Sequence, residues 1–191
     1  MSKWPLVRIR DVLTQVWREV AVDASKEYAL LGAHWYAKGL YIKDIRHGSE
    51  IRANKLYRVQ TGDFLYNRLF AWKGAFAVAE PDVDNCYVSN EFPCFEVDSE
   101  KVDGKYLLLY FNRESAWTEA LNLSSGATPT SRNRLKEALF LKMTFPLPPI
   151  PEQRRTVALA LKLADLKELQ KGIEAEIHAL MTAVLAKAFD G

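Results

Sequence analysis

A proline-rich connector followed by a long uninterrupted helical pattern constrains the fold of this chain more than any other feature. Four prolines lie within residues 146–151, and from Glu152 to about Ala188 the sequence has no proline and only one glycine, Gly172. A helix of that length would span roughly 55 Å, at about 1.5 Å per residue, which exceeds the diameter of a domain of this size. The sequence therefore predicts a globular domain over residues 1–150 and a projecting helix over residues 151–191.

The predicted helix carries a heptad repeat. Its a and d positions are Thr156, Leu159, Leu163, Leu166, Gln170, Ile173, Ile177, Leu180 and Val184. An apolar seam of this kind is typical of coiled coils, and a polar residue such as Gln170 at an a position typically fixes register and strand number. We therefore predict that the helix dimerises by forming a coiled coil; the alternative is that it packs on its own globular domain.

Composition narrows the class of protein. Hydrophobic residues make up 49% of the chain and aromatic residues 12%, which excludes a disordered protein. The sequence has no run of 18 apolar residues and no signal-peptide pattern, so we expect a cytoplasmic protein without a membrane span. Cys86 and Cys94 are the only cysteines and no histidine is near them in sequence. We expect buried free thiols, without a metal site or a disulfide.

Charge is segregated along the first domain. Between Lys38 and Lys73 eight basic residues face three acidic ones, a net charge of about +5. Between Gly74 and Gly104 one basic residue faces eight acidic ones, a net charge of about −7. A run of charge is most often a solvated surface, but this separation of sign favours an oriented polyanionic partner.

Short apolar runs separated by turn signals predict a sheet-rich first domain of the α+β class. Helical spacing predicts a short helix within residues 4–16 and a second helix that begins at Asp103 or Gly104. Residues 139–145 are predicted to form the last strand before the proline connector.

The loop from Asn67 to Gly74 has the residue types that read DNA. It carries Asn67, Arg68, Trp72 and Lys73, which supply hydrogen-bond donors and a flat aromatic ring. We predict Asn67 and Arg68 as contacts to bases or phosphates and Lys73 as a contact to phosphate. An ordinary hairpin tip with a half-buried tryptophan is the alternative interpretation.

Two other segments supply candidate DNA contacts. Lys43 and Arg46 lie in a basic segment that follows a predicted strand, and we predict a phosphate contact for Lys43 and a base or phosphate contact for Arg46. A small polar loop leads from Ser125 to Arg132 and Arg134, which we predict as a further contact region. For any one of these arginines a surface salt bridge is the alternative role.

Taken together, these features resemble the DNA specificity subunit of type I restriction-modification systems. The resemblance rests on the segment Gly62–Arg68, the basic Ser-Gly loop of residues 125–134, and above all the Leu-Pro-Pro-Ile-Pro-Glu-Gln element of residues 147–153 that opens the long helix. Full subunits of the family carry two recognition domains and two helices, whereas this chain carries one of each. It therefore resembles a half-length subunit.

The resemblance implies a function and a set of partners. It implies a non-catalytic chain that binds double-stranded DNA through a target recognition domain and forms a homodimer through its helix. It also implies a methyltransferase subunit as partner, in which S-adenosylmethionine is the cofactor, and in many systems a restriction subunit. No cofactor is expected on this chain, and two copies would read an inverted, bipartite site.

Two other functions stay open at this stage. Pro81-Asp82 followed by Asp103-Gly104-Lys105 imitates the pattern of metal-dependent nucleases, in which two carboxylates hold the ion and a lysine supports the transition state. Short acidic patterns of this kind arise often by chance. A coiled-coil scaffold that binds no DNA is the other alternative.

Overall fold

The structure of the chain is a computed structural model, and it describes residues 3–126 and 133–189. The contacts divide the chain into two compact units, residues 1–153 and residues 154–191. The strands of the first unit are β1 Leu6–Arg8, β2 Leu13–Val16, β3 Glu19–Ala21, β4 Glu27–Ala33, β5 Leu40–His47, β6 Lys55–Arg58, β7 Phe64–Tyr66, β8 Phe76–Val78, β9 Tyr87–Val88, β10 Cys94–Val97 and β11 Thr144–Pro146. The helices are α1 Gly104–Phe111, α2 Glu114–Leu123, α3 Glu137–Phe140 and α4 Ile150–Phe189.

The described strands form three sheets. A four-stranded antiparallel sheet has the order β2-β10-β7-β8, and a five-stranded sheet has the order β3-β6-β9-β4-β5. In the larger sheet only the β4–β9 contact is parallel. Strands β1 and β11 pair with each other and so join the N-terminal segment to the end of the domain. The larger sheet ends at β3 and β5, and most residues of β5 are exposed.

Strand β7 divides the hydrophobic interior into two cores. Its three residues are all buried, but successive side chains point to opposite faces of the sheet. Phe64 and Tyr66 pack with Phe76, Phe111 and other aromatic residues in the first core. Leu65 joins the second core, which lies against the five-stranded sheet. The two cores therefore lie on opposite faces of the four-stranded sheet at β7.

The predicted α+β class, with a sheet-rich domain followed by a long C-terminal helix, is confirmed. The predicted helix within residues 4–16 is wrong except for a 3-10 turn at Ile9–Asp11, because Leu6–Arg8 pairs with Thr144–Pro146 and Leu13–Val16 pairs with β10. The spacing of the apolar residues fits both a helix and a strand-turn-strand, and long-range pairing decides between them. The last strand is shorter than predicted, since residues 137–140 form α3 before β11.

Helix α4 begins at Ile150, with Pro151 in its first turn, and continues to Phe189. A proline is tolerated there because the first amides of a helix have no intrahelical acceptor. In the second unit the apolar residues of the heptad seam are between 49% and 66% exposed. No helix among the described residues is long and apolar enough to cross a membrane.

Candidate nucleic-acid interface

A groove lies over the open face of the five-stranded sheet. It has a volume of about 1080 Å³. Four cationic residues line it, Lys38, Lys43, Arg46 and Arg52, against a single carboxylate, that of Glu50. Its aromatic lining includes Tyr41. Leu31 and Phe92 line the groove and also belong to the second core, so the groove adjoins that core.

A β-bulge in β5 determines which side chains reach the groove. The register shifts between Leu30, which pairs with Asp44, and Leu31, which pairs with Ile42, so Lys43 is an extra residue on β5. In a regular strand Tyr41 and Arg46 would point to opposite faces, because they are an odd number of residues apart. The extra residue places both on the groove side. Bulges commonly re-aim side chains near functional sites.

Two rings and a glycine shape the groove near its end. The rings of His34 and Tyr41 lie 4.3 Å apart between centroids. The Tyr41 ring also lies across Gly32, where a Cβ atom would come within 2.6 Å of the Tyr41 Cζ atom. Tyr41 is 39% exposed, so its ring is available to a ligand.

The turn between β4 and β5 is fastened to the loop that follows β7. Tyr36 and Ala37 adopt left-handed backbone conformations, with φ of 63° and 50°. Such conformations cost side-chain-bearing residues of order 1–3 kcal/mol each. The amide of Tyr36 donates to Lys73 O over 2.8 Å, and that of Ala37 donates to Gly74 O over 2.7 Å. These bonds bring together two segments that are about 37 residues apart in sequence.

The structure places Lys73 and Asn67 in this fastened loop. The Lys73 Nζ lies 3.8 Å from the centroid of Trp35 and 5.0 Å from that of Trp72, so the charge is held over two rings. The Asn67 side chain lines the groove, and its Oδ1 accepts from the Leu69 amide over 2.9 Å. The sequence-predicted Lys43, Arg46 and Asn67 therefore line one groove.

Arg68 and Arg134 have acidic partners in the structure. Arg68 is an ion-pair partner of Glu137 and also donates to Asn90 O, and its side chain is only 12% exposed. Arg134 is paired with Glu91. Arg134 and Ser125 form an antiparallel bridge, in which their amides and carbonyls bond at 2.9 and 3.1 Å. Arg132 lies outside the described residues.

Sequence analysis did not find a partly buried charge cluster, in which Glu96 is 61% exposed. Asp63 is 3% exposed and accepts from Arg18 at 2.6 Å, while Arg18 also donates to Glu96 at 2.9 Å. Burial raises the pKa of Asp63 above its usual range, although Arg18 opposes that effect. The amide of Gln60 donates to Asp63 over 2.9 Å, so the cluster fixes the turn that leads into β7. No spacing in the sequence connects these three charges.

The nuclease-like residues have structural roles. Asp103 caps α1, because its Oδ1 accepts from the amide of Lys105 over 2.8 Å and from that of Tyr106 over 3.3 Å. Lys105 forms an exposed ion pair with Glu80 at 2.9 Å, and Asp82 lies in a short 3-10 turn. Within residues 3–126 and 133–189 no group of three metal-ligating side chains could hold an ion. The structure gives the metal-nuclease alternative no support.

Sequence reasoning missed Tyr41, His34 and Asp44. Their proximity depends on the bulge at Lys43 and on the pairing of β4 with β5. The segment from His34 to Arg46 is rich in both aromatic and basic residues, and this combination is the sequence signal that could have identified them.

Comparison with family models matches residues 1–179 to the type I restriction modification DNA specificity domain. A search of curated proteins finds no match. Among solved structures, the HsdS subunit from Thermoanaerobacter tengcongensis is similar, with a TM-score of 0.73, 19% identity, and coverage of 96% of this chain and 49% of that chain. A chain from a study of complex assembly and conformational transition of the type I R-M system has a TM-score of 0.72, 20% identity, and coverage of 97% and 49%. This chain thus spans about half the length of those structures and shares their fold.

Proposed function

Because the chain belongs to the family of type I restriction modification DNA specificity domains, we propose that it recognises one half of a bipartite DNA sequence. In this role the first unit reads the half-site, and the chain has no catalysis of its own. The observation that carries the proposal is the groove along β4 and β5, where four cationic residues line the surface against a single carboxylate. A cationic surface with planar and amide side chains suits a DNA duplex.

We propose that two copies pair through α4. Similarity covers nearly all of this chain but only 49% of each similar structure, which is what one half of a two-domain subunit would give. The exposed heptad seam supports pairing, since Leu166 is 60% exposed and Ile173 is 49% exposed. Burying a leucine or isoleucine contributes roughly 1.5–3 kcal/mol, so a seam of this length would drive association. The resulting two-fold symmetry predicts an inverted repeat as the target.

The proposed partners follow from the family. A specificity subunit would position a methyltransferase subunit on the DNA, where S-adenosylmethionine would supply the methyl group in that partner. In many such systems a restriction subunit also joins. The proposed contribution of this chain is recognition alone, in keeping with the family to which it belongs.

The direct test is selection of duplexes from a random library by the purified chain. The proposal predicts enrichment of two half-sites in inverted orientation, separated by a spacer of fixed length. It also predicts that affinity falls as salt rises, because binding releases counterions from the phosphates. An absence of salt-dependent DNA retention would instead support a scaffold that binds no DNA.

A further inference from the structure

We propose that Arg46, held in place by Asp44, reads a guanine in each half-site. This inference rests on the proposed function and identifies one base contact within it. The two side chains lie on β5, and Arg46 Nε donates to Asp44 Oδ2 over 2.5 Å. Arg46 lines the groove and its side chain is 46% exposed.

The hydrogen bond to Asp44 leaves the two Nη nitrogens of Arg46 available to a base. Only Nε is engaged, and among the described residues no group accepts a hydrogen bond from either Nη nitrogen. A guanidinium oriented in this way can donate two parallel hydrogen bonds, and the commonest specific contact of that type is with guanine O6 and N7. The bond to Asp44 therefore orients the two Nη nitrogens of Arg46, which can donate in parallel to one ligand in the groove.

A carboxylate beside the arginine favours a base over a phosphate as the ligand. Asp44 offsets part of the positive charge of Arg46, and it would repel a phosphate placed next to the pair. The Asp44 carboxylate therefore does not increase the affinity of Arg46 for a phosphate. A base contact gains from it, because a fixed direction reduces the side-chain entropy lost on binding.

The other arginines in this part of the molecule are less suited to reading a base. Arg68 and Arg134 bond to carboxylates through Nη2, and Arg18 uses both Nη nitrogens on Asp63 and Glu96. Arg52 lines the groove but lies in the irregular segment between the 3-10 turn of Gly48–Glu50 and β6. Arg46 is placed on a strand, and sites on regular elements hold side chains more precisely than sites on loops.

The bulge at Lys43 places Arg46 and Asp44 on the side of the sheet that carries Tyr41. Without the extra residue, Asp44 and Arg46 would still share one face, but they would point away from the face that carries Tyr41 and Gly32. With it, the arginine, its carboxylate and the Tyr41 ring lie on the same side of the sheet. The sequence-specific contact thus depends on a backbone irregularity.

The test compares the duplexes selected from a random library by the wild type and by four variants of the full chain. In Arg46→Ala, preference for guanine at one position of each half-site falls by about 5- to 140-fold. Arg46→Lys keeps the charge but lacks the planar fork, so it retains overall affinity and keeps only part of the guanine preference. Asp44→Asn also loses much of the preference, while its affinity for unrelated duplexes rises because a negative charge is gone.

Arg10→Ala is the matched control, since Arg10 also lies beside a carboxylate, that of Asp11, and is 53% exposed. It should leave the selected motif unchanged. The inference is overturned if Arg46→Ala keeps the guanine preference, or if it weakens all duplexes equally as a phosphate contact would. A wild type that selects no motif would overturn the proposed function as well, so the two failures are distinguishable.

Discussion

The backbone amide of Asp103 donates a hydrogen bond over 2.8 Å to Oε1 of Gln153, which has no exposed surface. The Gln153 Nε2 donates to Lys101 O at 3.0 Å and to Pro148 O at 2.7 Å. One buried carboxamide therefore joins the start of α1 to the proline connector. The glutamine at the end of the Leu-Pro-Pro-Ile-Pro-Glu-Gln element is an internal brace of the first unit.

Replacing Gln153 with leucine should destabilise the first unit strongly. The change leaves the Asp103 amide and two carbonyls buried without their partner, and each unsatisfied group costs about 1–3 kcal/mol. We expect the free energy of unfolding to fall by at least about 3 kcal/mol, measured by urea denaturation with tryptophan fluorescence. Gln60→Leu, at an exposed position, is the control and should change stability by less than about 0.5 kcal/mol. Equal effects of the two changes on the free energy of unfolding would contradict a stabilising role for Gln153.

Removing Arg68 should lower stability through its pair with Glu137. The pair is mostly buried, with side-chain exposures of 12% and 19%. Arg68→Ala and Glu137→Ala should each cost about 1.5–3 kcal/mol, and the double variant should cost clearly less than their sum. The exposed pair of Lys55 and Glu19 is the control, and its loss should have a much smaller effect because solvent screens the two charges. Additive effects at Arg68 and Glu137 would show that the two residues do not interact.

Replacing Gly74 with alanine should test the packing of Trp117. Gly74 has φ of +72°, and a Cβ there would lie 2.5 Å from the Trp117 ring. Gly62 has φ of +90° and nothing within 4 Å of the same atom, so Gly62→Ala measures the backbone strain alone. Both variants should be destabilised by about 1 kcal/mol or more, and Gly74→Ala should be worse by about 1–3 kcal/mol. Equal losses in thermal or urea unfolding would contradict the close contact.

The reactivity of Cys94 should depend on pH well above the ordinary thiol range. Burial raises the pKa of Cys94 to about 12, and burial followed by Asp82 and Asp84 raises the pKa of Cys86. In a Cys86→Ser variant, the rate of reaction with a neutral disulfide reagent should rise about tenfold per pH unit between pH 7 and 9, because the thiolate is the reacting species and pH stays below the pKa. An unperturbed thiol, with a pKa of about 8.5, would level off near pH 9. A plateau at that pH would show that Cys94 reacts with the pKa of an ordinary thiol and would contradict the prediction.

The sequence predicted those features that depend on local pattern. The long helix was visible because Glu152 to Ala188 lacks proline, and the start of α1 was visible because Asp103 is a strong N-cap residue followed by apolar spacing. The order of strands within each sheet could not be derived this way, since it depends on pairings such as Leu6 with Pro146.

The same distinction applies to the candidate site. Lys43, Arg46 and Asn67 were predicted from residue type, and the structure places all three around one groove. The carboxylate partners of Arg68 and Arg134 could not be predicted, because Glu137 and Glu91 are 69 and 43 positions away in sequence. The bulge at Lys43 was equally hidden, since alternation alone puts Tyr41 and Arg46 on opposite faces.

The central proposal is that this chain is one half of a specificity subunit with two recognition domains. Its most direct test is the mass of the intact chain in solution, measured by light scattering. The proposal predicts twice the 21.8 kDa of one chain. It predicts a monomer for a Leu166→Glu, Ile173→Glu variant, in which charges replace two seam residues. Leu161→Glu, at an exposed position outside the seam, is the control and should remain a dimer. A monomeric wild type, or a seam variant that stays dimeric, would contradict pairing through α4.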